Sequence, residues 1–430
     1  MRDKDTDPPE SLAFAFGRRE LAGAVADVGV LVPIAVALIV SNGLSPTAVF
    51  LPAGVLYVWC AFRYRLPVPV QPLKAFGAIA IAAGLGSSEI AAGALLMGAI
   101  FIVLSWAGWL DRVAQIFPRS VIRGVQLAVG LLFLKVAWGL VTDPPEAFRD
   151  SGFGDVDAGH WWLIVAAIAV AVLSWTLRRH AVALAFVTLG FTVMVIAGWQ
   201  EIEWGPSTIE FPQLTLAAFV SAATVLVLPQ LPLTFANSCM APADAARSYF
   251  GDAARRVTPS RLARSLGVAD VFAGAIGGMP VCHGAGGLTA HKVFGARTGG
   301  APLVMGTALL VLALVFGAGL AGLLVYFPLP ILAGLLATAG VLHLSLIRDL
   351  RHPADWAIAL IVGVLGLFGW LALGLVVGLV LHVLARRFAA RRRKDAGLGS
   401  GSSGSGSAGS VSAQTANRSR LSGDDKASGV

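Results

Sequence analysis

Apolar runs of about 20 residues recur along nearly the whole chain, and they restrict its fold more than any other feature. A run of that length crosses the hydrocarbon of a bilayer as an α-helix, because a helix satisfies its own backbone hydrogen bonds. Hydrophobic residues make up 57% of the chain and charged residues only 13%, which is unlike an ordinary soluble protein. The sequence therefore predicts an all-α polytopic membrane protein.

The apolar segments predict fourteen membrane spans. They cover residues 20–40, 47–62, 67–85, 89–110, 119–140, 161–177, 181–199, 213–236, 262–278, 280–295, 301–325, 328–347, 354–371 and 372–389. If this count is right, Lys and Arg should concentrate in alternate loops on the cytoplasmic side. They do, and the basic loops lie on the same side as both termini. We therefore expect an integral protein of the cell (inner) membrane with both termini in the cytoplasm.

Two short motifs recur at a nearly constant spacing and indicate an internal repeat. The Pro-Val pair at residues 69–70 recurs at residues 280–281, which is 211 positions later, and the Phe-Pro pair at residues 117–118 recurs at residues 327–328, which is 210 positions later. Seven spans repeated once place the second copy upside down in the membrane, as in many secondary transporters. The fold class expected is therefore a seven-plus-seven inverted repeat.

The expected domain organisation follows from this repeat. Residues 1–19 form a cytoplasmic N-terminal segment, residues 20–199 the first seven-span repeat, and residues 213–390 the second, inverted repeat. Residues 398–430 are rich in Gly and Ser and almost free of large apolar side chains, so their burial cannot offset the entropy lost on ordering. This tail is expected to be disordered.

Two proline- and glycine-rich interruptions lie at equivalent places in the repeats. Residues 66–74 place three prolines before a helical run, and residues 277–287 read Gly-Gly-Met-Pro-Val-Cys-His-Gly-Ala-Gly-Gly. Proline favours extended backbone before it and suits only the first turn of a helix, so we expect both helices to begin in mid-membrane, with Pro72 in the first turn. A simple kink is the alternative for each segment alone, but paired interruptions mark a midplane site.

Two helix N-termini aimed at one point would favour an anion. Each supplies free N–H donors and about half a positive charge, so two supply about one. A dianion such as molybdate or sulfate leaves about one charge uncompensated, and Lys74 on the first turn is the nearest candidate. Lys74 could instead pair with Asp27 or reach water.

Asp27 lies in the first span, where a carboxylate needs a partner or a proton. A protonated Asp27 would not repel an incoming dianion, so loading the anion and a proton together would make transport a symport. A permanent ion pair with Lys74 would instead make Asp27 a structural residue.

Three further polar residues are candidates for the site. Gln230 and Asn237 in the eighth span could donate hydrogen bonds to oxyanion oxygens, or could join helices to each other. His283, expected in the first turn of the second half-helix, is either an anion donor or a satisfied packing group. Lys135 and Asp270 are expected to act as structural pairs or gate elements.

Several separated motifs resemble the molybdate transporter family of plants, algae and bacteria, a branch related to the sulfate permeases. They are residues 67–74 (PVPVQPLK), 123–127 (RGVQL), 229–234 (PQLPLT) with Asn237, 279–287 (MPVCHGAGG) and 294–297 (FGAR). The resemblance implies a core domain that moves against a gate domain. It also implies that the following residues lie near the anion: Gln71, Lys74, Gln230, Cys282, His283, Gly284, Ala285, Gly286 and Gly287.

The expected function is molybdate transport by alternating access. Sulfate transport on the same fold is the first alternative, because both ions are tetrahedral dianions. Nucleobase uptake would favour carboxylates on the eighth and tenth spans, where Gln230 and His283 stand. A membrane enzyme or scaffold would need a catalytic constellation or a large folded extramembrane region.

The remaining features of the sequence exclude other classes of function. The sequence has no HExxH or nucleophile–base motif, and its three cysteines are widely spaced, so we expect no enzyme activity, no metal site and no cofactor. The basic run at residues 386–394 is interpreted as a membrane anchor, with the lipid bilayer and not nucleic acid as its partner. A homodimer is compatible with the sequence.

Overall fold

The computed structural model describes residues 14–25, 28–107, 109–110, 116–145, 148, 161–176 and 180–399. The chain divides into residues 1–383 and residues 384–430, and the described part of the second unit is the end of the last helix. The described part is almost entirely helical.

The helices before residue 200 are α1 (Arg18–Ala24), α2 (Val28–Asn42), α3 (Pro46–Tyr64), α4 (Lys74–Ala82), α5 (Ser87–Ala107), α6 (Arg119–Thr142), α7 (Trp161–Thr176) and α8 (His180–Ala197). Those that follow are α9 (Leu216–Ala222), α10 (Leu228–Leu233), α11 (Ala241–Phe250), α12 (Pro259–Ala275), α13 (Ala285–Phe294), α14 (Gly300–Val315), α15 (Gly317–Leu324), α16 (Leu329–Ser345), α17 (Pro353–Leu367) and α18 (Leu371–Gly399). Short 3₁₀ turns cover Trp199–Glu201, Gly251–Arg256 and Leu346–Asp349. Two strands of two residues each are β1 (Gln71–Pro72) and β2 (Val281–Cys282).

Each predicted span overlaps at least one of these helices. Among the described residues, seven helical segments are long and apolar enough to cross a membrane, and one bent pair adds an eighth. The seven are Arg18–Asn42, Pro46–Tyr64, Ser87–Trp106, Arg119–Thr142, Leu216–Arg256, Leu329–Asp349 and Leu371–Phe388. The protein is therefore a multi-pass membrane protein, and the count of fourteen spans stays a prediction.

The eighth predicted segment is a single helical stretch with two π-helical insertions. Ala223–Val227 joins α9 to α10, and Thr234–Met240 joins α10 to α11. Pro229 and Pro232 lie in α10, between the two π segments. Proline removes an intrahelical hydrogen bond and disturbs the turn before it, and π-helical turns are frequent where a helix carries a functional residue. Gln230 lies between these two prolines.

The predicted span 301–325 is not one helix, because α14 and α15 meet at a bend of 92°. The backbone groups freed at this bend find partners outside the helix. Gly205 donates its N–H to the carbonyl of Val315 at 2.7 Å, and its own carbonyl accepts from Ala318 at 2.8 Å. The Thr47 hydroxyl donates to the carbonyl of Ala313 at 2.7 Å. The break is stable because these polar groups remain satisfied.

The end of the last helix also differs from the prediction. Helix α18 continues to Gly399, ten positions beyond the predicted end of the span at residue 389. The basic run at residues 386–394 is thus helical, which is consistent with the high helix propensity of Ala, Arg and Lys. The first two residues of the predicted disordered tail, 398 and 399, therefore lie in this helix, and its remainder, residues 400–430, lies outside the described residues.

Glycine contacts between helices follow the spacing of the sequence repeat. Gly130 of α6 and Gly340 of α16 touch, and a β-carbon on either would lie 2.7 Å or 2.9 Å from the carbonyl oxygen of the other. A β-carbon on Gly124 would meet Val362 of α17, while one on Gly334 would meet Val170 of α7. Residues 124 and 334, like residues 130 and 340, are 210 positions apart. Small residues allow such close approach of membrane helices.

Candidate functional site

The two interrupted segments of the sequence meet in the structure. Strands β1 and β2 pair in antiparallel fashion, with Gln71 opposite Cys282 and Pro72 opposite Val281. The backbone N–H of Leu73 then donates to the carbonyl of Pro280 at 3.1 Å. Residues 71 and 282 are 211 positions apart, which is the spacing of the repeat. The pairing places the start of α4 beside the start of α13.

Both half-helices are short, and both begin later than the sequence predicts. Helix α4 has nine residues and starts at Lys74, so Pro72 lies in β1 and not in the first helical turn. The reason is that the extended pairing continues through Leu73, whose N–H is bound to Pro280. Lys74 is nevertheless on the first turn, as predicted.

Helix α13 has ten residues and starts at Ala285, after the N-cap residue Gly284. His283 therefore precedes the helix, and its predicted position in the first helical turn is wrong. The β pairing of Val281 and Cys282 keeps the chain extended up to that point. Cys282 is buried, and its Sγ donates to the carbonyl of Pro72 at 3.6 Å.

His283 is fully buried, and both of its ring nitrogens contact protein groups. Nδ1 lies 2.9 Å from the carbonyl oxygen of Pro69, and Nε2 lies 2.7 Å from the hydroxyl of Ser265. A carbonyl oxygen can only accept, so Nδ1 carries a proton. Ser265 lies 3.1 Å from the hydroxyl of Tyr64 as well. These contacts support the packing role, in which His283 ties the approach to α4 to helix α12.

Asp270 holds the second strand in place. Its Oδ1 accepts the backbone N–H of Val281 at 2.7 Å, and the residue is fully buried. Its Oδ2 has no hydrogen-bond partner among the residues that the structure describes. Asp270 is thus structural, but its partner is a backbone group and not the side-chain ion pair that the sequence suggested.

Gln230 joins the eighth segment to the first half-helix. Its Oε1 accepts the backbone N–H of Phe76 at 2.9 Å, and its Nε2 donates to the hydroxyl of Thr234 at 2.9 Å. Phe76 lies in the first turn of α4, where N–H groups lack partners within the helix. Of the two predicted roles, the bond between helices is therefore the observed one. An amide nitrogen carries two N–H groups, so one is left beyond the bond to Thr234.

Gln71, Lys74 and Gly284 converge where the two half-helices start. A β-carbon on Gly284 would overlap Oε1 of Gln71 and would lie 3.7 Å from Nζ of Lys74. Glycine at residue 284 thus leaves the space in which these two side chains reach the start of α13. Lys74 is half-buried, and no carboxylate among the described residues lies within ion-pair distance of it. Asp27, its predicted partner, lies outside the described residues.

The first turn of α13 is open on one side. Gly286 is exposed, and a β-carbon there would meet no atom within 4 Å. Ala285 is half-buried and Gly287 is buried. The first N–H groups of a helix have no acceptor within it, so the amides of this turn are free to bind a ligand. Together with Lys74, these amides form an accessible region of positive charge.

Two other predicted residues lie away from this convergence. Asn237 is half-buried in the second π segment, beyond Gln230 and Thr234. Lys135 is exposed on α6 and lines a cavity of ≈ 700 Å³ with Ile79 and Ala82, at the opposite end of α4 from Lys74. Sequence reasoning did not identify Ser265, whose hydroxyl looks like any other on an apolar helix.

Comparison with known proteins is consistent with the fold of a membrane transporter. The family model described as "Molybdate transporter of MFS superfamily" matches residues 19–133 and 222–342, which is more than half of the chain and includes Gln71, Lys74 and Gly284. Molybdate transporter 1 of Arabidopsis thaliana is 29% identical over 409 residues, which cover 87% of this chain and 89% of that protein. Molybdate transporter 1 of Chlamydomonas reinhardtii is 28% identical over 450 residues, which cover 80% and 86%.

Two solved structures share the fold. The transmembrane domain of a cyanobacterium bicarbonate transporter, BicA, superposes with a TM-score of 0.58 at 17% identity, covering 84% of this chain and 96% of that one. Murine Slc26a9, an anion transporter in the inward-facing state, superposes with a TM-score of 0.62 at 15% identity, covering 89% and 70%. At such identities the likeness shows the fold alone, which is that of the sulfate permeases and their SLC26 relatives. By its matched sequence, the chain belongs to the molybdate transporter family, a family of transporters and not of enzymes.

Proposed function

We propose that this protein transports molybdate across the membrane and binds it between the starts of α4 and α13. The pairing of β1 with β2 is the observation that carries the proposal, because it brings two helix N-termini together. The names of the curated relatives favour molybdate among the tetrahedral oxyanions.

The charge at this place suits a dianion. Two helix N-termini supply about one positive charge, and the ammonium group of Lys74 supplies another. The exposed first turn at Gly286 gives backbone donors, and the amide nitrogen of Gln71, whose Oε1 lies beside Gly284, is a further donor. Oxyanion oxygens accept hydrogen bonds from all of these groups.

Alternating access in this proposal moves one group of helices against the half-helices. The contacts of Gly124, Gly130, Gly334 and Gly340 unite α6, α7, α16 and α17, and this group is the proposed gate. The half-helices with α12 form the proposed core, since Asp270 and Ser265 of α12 hold residues 281 and 283. Rigid movement of one repeat-derived group against another is the common mode in such transporters.

The proposal includes the cell membrane as its location, cytoplasmic termini, and a proton as the coupled ion. Basic residues on one set of loops support the orientation. Asp27 in the first span is the proposed proton carrier, because a protonated Asp27 would not repel an incoming dianion. A homodimer is the proposed assembly.

Uptake by vesicles that contain the purified protein tests the proposal. We expect saturable, concentrative uptake of molybdate when an inward proton gradient is imposed, and weaker uptake of sulfate at the same concentration. Empty vesicles and vesicles with Gly284→Ala protein are the controls. Equal or better transport of sulfate would identify sulfate, and not molybdate, as the substrate. The absence of uptake of either oxyanion would refute the proposed function.

A further inference from the structure

A groove runs along the outer face of the protein between α3 and α12. Its walls are apolar, with Val55, Leu56 and Trp59 on one side and Val268, Ala269 and Phe272 on the other, and its volume is ≈ 760 Å³. Val55 and Val268 are 44% and 57% exposed, so the groove opens outward. In a multi-pass membrane protein such a surface faces lipid.

One end of the groove is lined by arginines. Arg63 of α3 and Arg261 and Arg264 of α12 lie there, beside the apolar walls. Arg63 and Arg261 also line an adjoining cavity of ≈ 550 Å³ together with Arg255 and Arg256. The two cavities thus share Arg63 and Arg261, and five arginines line one cavity or the other.

These arginines lack acidic partners in the part of the chain that the structure describes, where the ion pair resolved is Arg123 with Asp349. Arg264 lies over the ring of Trp106 at 6.0 Å, and Arg261 donates to the backbone carbonyl of Arg255 at 3.3 Å. Like charges held together without a counter-charge repel one another, so an anion is needed to balance them. A guanidinium group binds phosphate through two parallel hydrogen bonds.

The length of the groove fits one acyl chain. A helix rises 1.5 Å per residue, so the distance along α3 from Pro52 to Arg63 is about 16 Å. One leaflet of a bilayer has a hydrocarbon depth of about 15 Å, which is half of its core. An acyl chain in the groove would therefore place its phosphate at the level of Arg63 and Arg261.

We propose that this groove and its arginine end form a binding site for an anionic phospholipid. The phosphate lies against Arg63 and Arg261, with Arg255, Arg256 and Arg264 around it, and one acyl chain fills the groove. A general excess of basic residues on one membrane face would not require an apolar channel that leads to the same arginines. This site is separate from the proposed anion site and does not depend on molybdate transport.

The site has a direct connection to the half-helices. Ser265 lines the groove, and its hydroxyl contacts Nε2 of His283 at 2.7 Å. His283 immediately precedes Gly284, the N-cap of α13. Bound lipid would restrain α12 at this position and so stabilise the wall behind the convergence of Gln71, Lys74 and Gly284.

Native mass spectrometry and thermal unfolding of the delipidated full chain test the proposal. We expect phosphatidylglycerol to bind and to raise the Tm, and phosphatidylcholine of the same chain length to do so at least about tenfold more weakly. The variant Arg63→Gln with Arg261→Gln should weaken phosphatidylglycerol binding about tenfold or more. The matched control is Arg348→Gln with Arg351→Gln, which removes the same charge from exposed arginines elsewhere and should leave binding unchanged.

Two further experiments distinguish a lipid headgroup from free phosphate as the bound group. Val268→Trp fills the groove without a change of charge, so it should weaken lipid binding if an acyl chain lies there. Glycerol phosphate and inorganic phosphate should not compete at the concentrations at which the lipid saturates. The proposal fails if phosphatidylcholine binds equally well, if the Arg63/Arg261 variant binds as the control does, if Val268→Trp has no effect, or if free phosphate displaces the lipid.

Discussion

Oε1 of Gln230 accepts the backbone N–H of Phe76 at 2.9 Å, which ties the eighth helical segment to the first turn of α4. The bond joins two residues 154 positions apart, and it satisfies one of the N–H groups that the start of a helix leaves free. Gln230 therefore sets the position of this half-helix in addition to any contact with the anion.

Replacing Gln230 should separate these two effects. Gln230→Ala leaves the N–H of Phe76 without a partner, and we expect it to lower the free energy of unfolding by about 1 to 3 kcal/mol. Gln230→Glu keeps an acceptor for that N–H but adds a negative charge, so stability should change less while molybdate binding falls. Thermal unfolding and equilibrium binding of molybdate in detergent measure both. If the Gln230→Glu variant binds molybdate with the same affinity as the unsubstituted protein, Gln230 does not contact the anion.

Gly284→Ala should abolish most anion binding. The added β-carbon would overlap Oε1 of Gln71 and crowd Nζ of Lys74, although the backbone of Gly284, with φ −80° and ψ 127°, suits alanine. We expect binding to weaken about tenfold or more, equivalent to 1.4 kcal/mol. Gly286→Ala is the matched control, because a β-carbon there meets no atom within 4 Å. Equal losses in the two variants would contradict the steric explanation.

Lys74→Gln should weaken binding of molybdate about tenfold or more, because it removes one of the two positive charges that balance the dianion. Lys135→Gln is its control, since Lys135 lines a cavity at the other end of α4. Isothermal titration of both purified variants, with circular dichroism to verify folding, makes the comparison. If folded Lys74→Gln protein binds like the parent, Lys74 is a structural residue.

Loss of the His283 side chain should act on stability more than on binding. His283→Ala leaves the buried carbonyl of Pro69 without its partner and removes one contact of the Ser265 hydroxyl, so about 1 to 3 kcal/mol of unfolding free energy should be lost. Ser265→Ala leaves the bond from Nδ1 to Pro69 in place but removes the contacts of its hydroxyl with Nε2, with Tyr64 and with the carbonyl of Leu262, so we expect a loss of similar size. Chemical denaturation gives the two values, and molybdate binding to the folded fraction should be reduced by less than tenfold. If His283→Ala instead reduces molybdate binding by tenfold or more, His283 is an anion ligand.

Asp27→Asn tests the proton coupling. The amide mimics the protonated acid, so molybdate binding should survive with a flatter dependence on pH, while uptake against a gradient should fail. Uptake and binding assays on the same preparation of vesicles make both measurements. Concentrative, pH-dependent uptake by this variant would leave Asp27 without a proton role.

The sequence by itself determined the elements that depend on local chemistry. Long apolar runs allow only helices in a bilayer, and the prolines at residues 67, 69, 72 and 280 prevent a helix from forming before α4 and α13. The repeat spacing of 211 residues was visible in Pro69 and Pro280, and a spacing of 210 residues was visible in Pro118 and Pro328. The half-helices and the convergence of Gln71 with the start of α13 follow from these signals.

Tertiary structure decided which polar groups meet. Nothing local to His283 specifies that its ring nitrogens contact Pro69, 214 positions away, and Ser265. The sequence around Ala313 likewise gives no sign of the 92° bend, because its freed backbone groups are satisfied by Gly205 and Thr47 from distant segments. Burial requires that each polar group find a partner, but only the packing of all helices selects that partner.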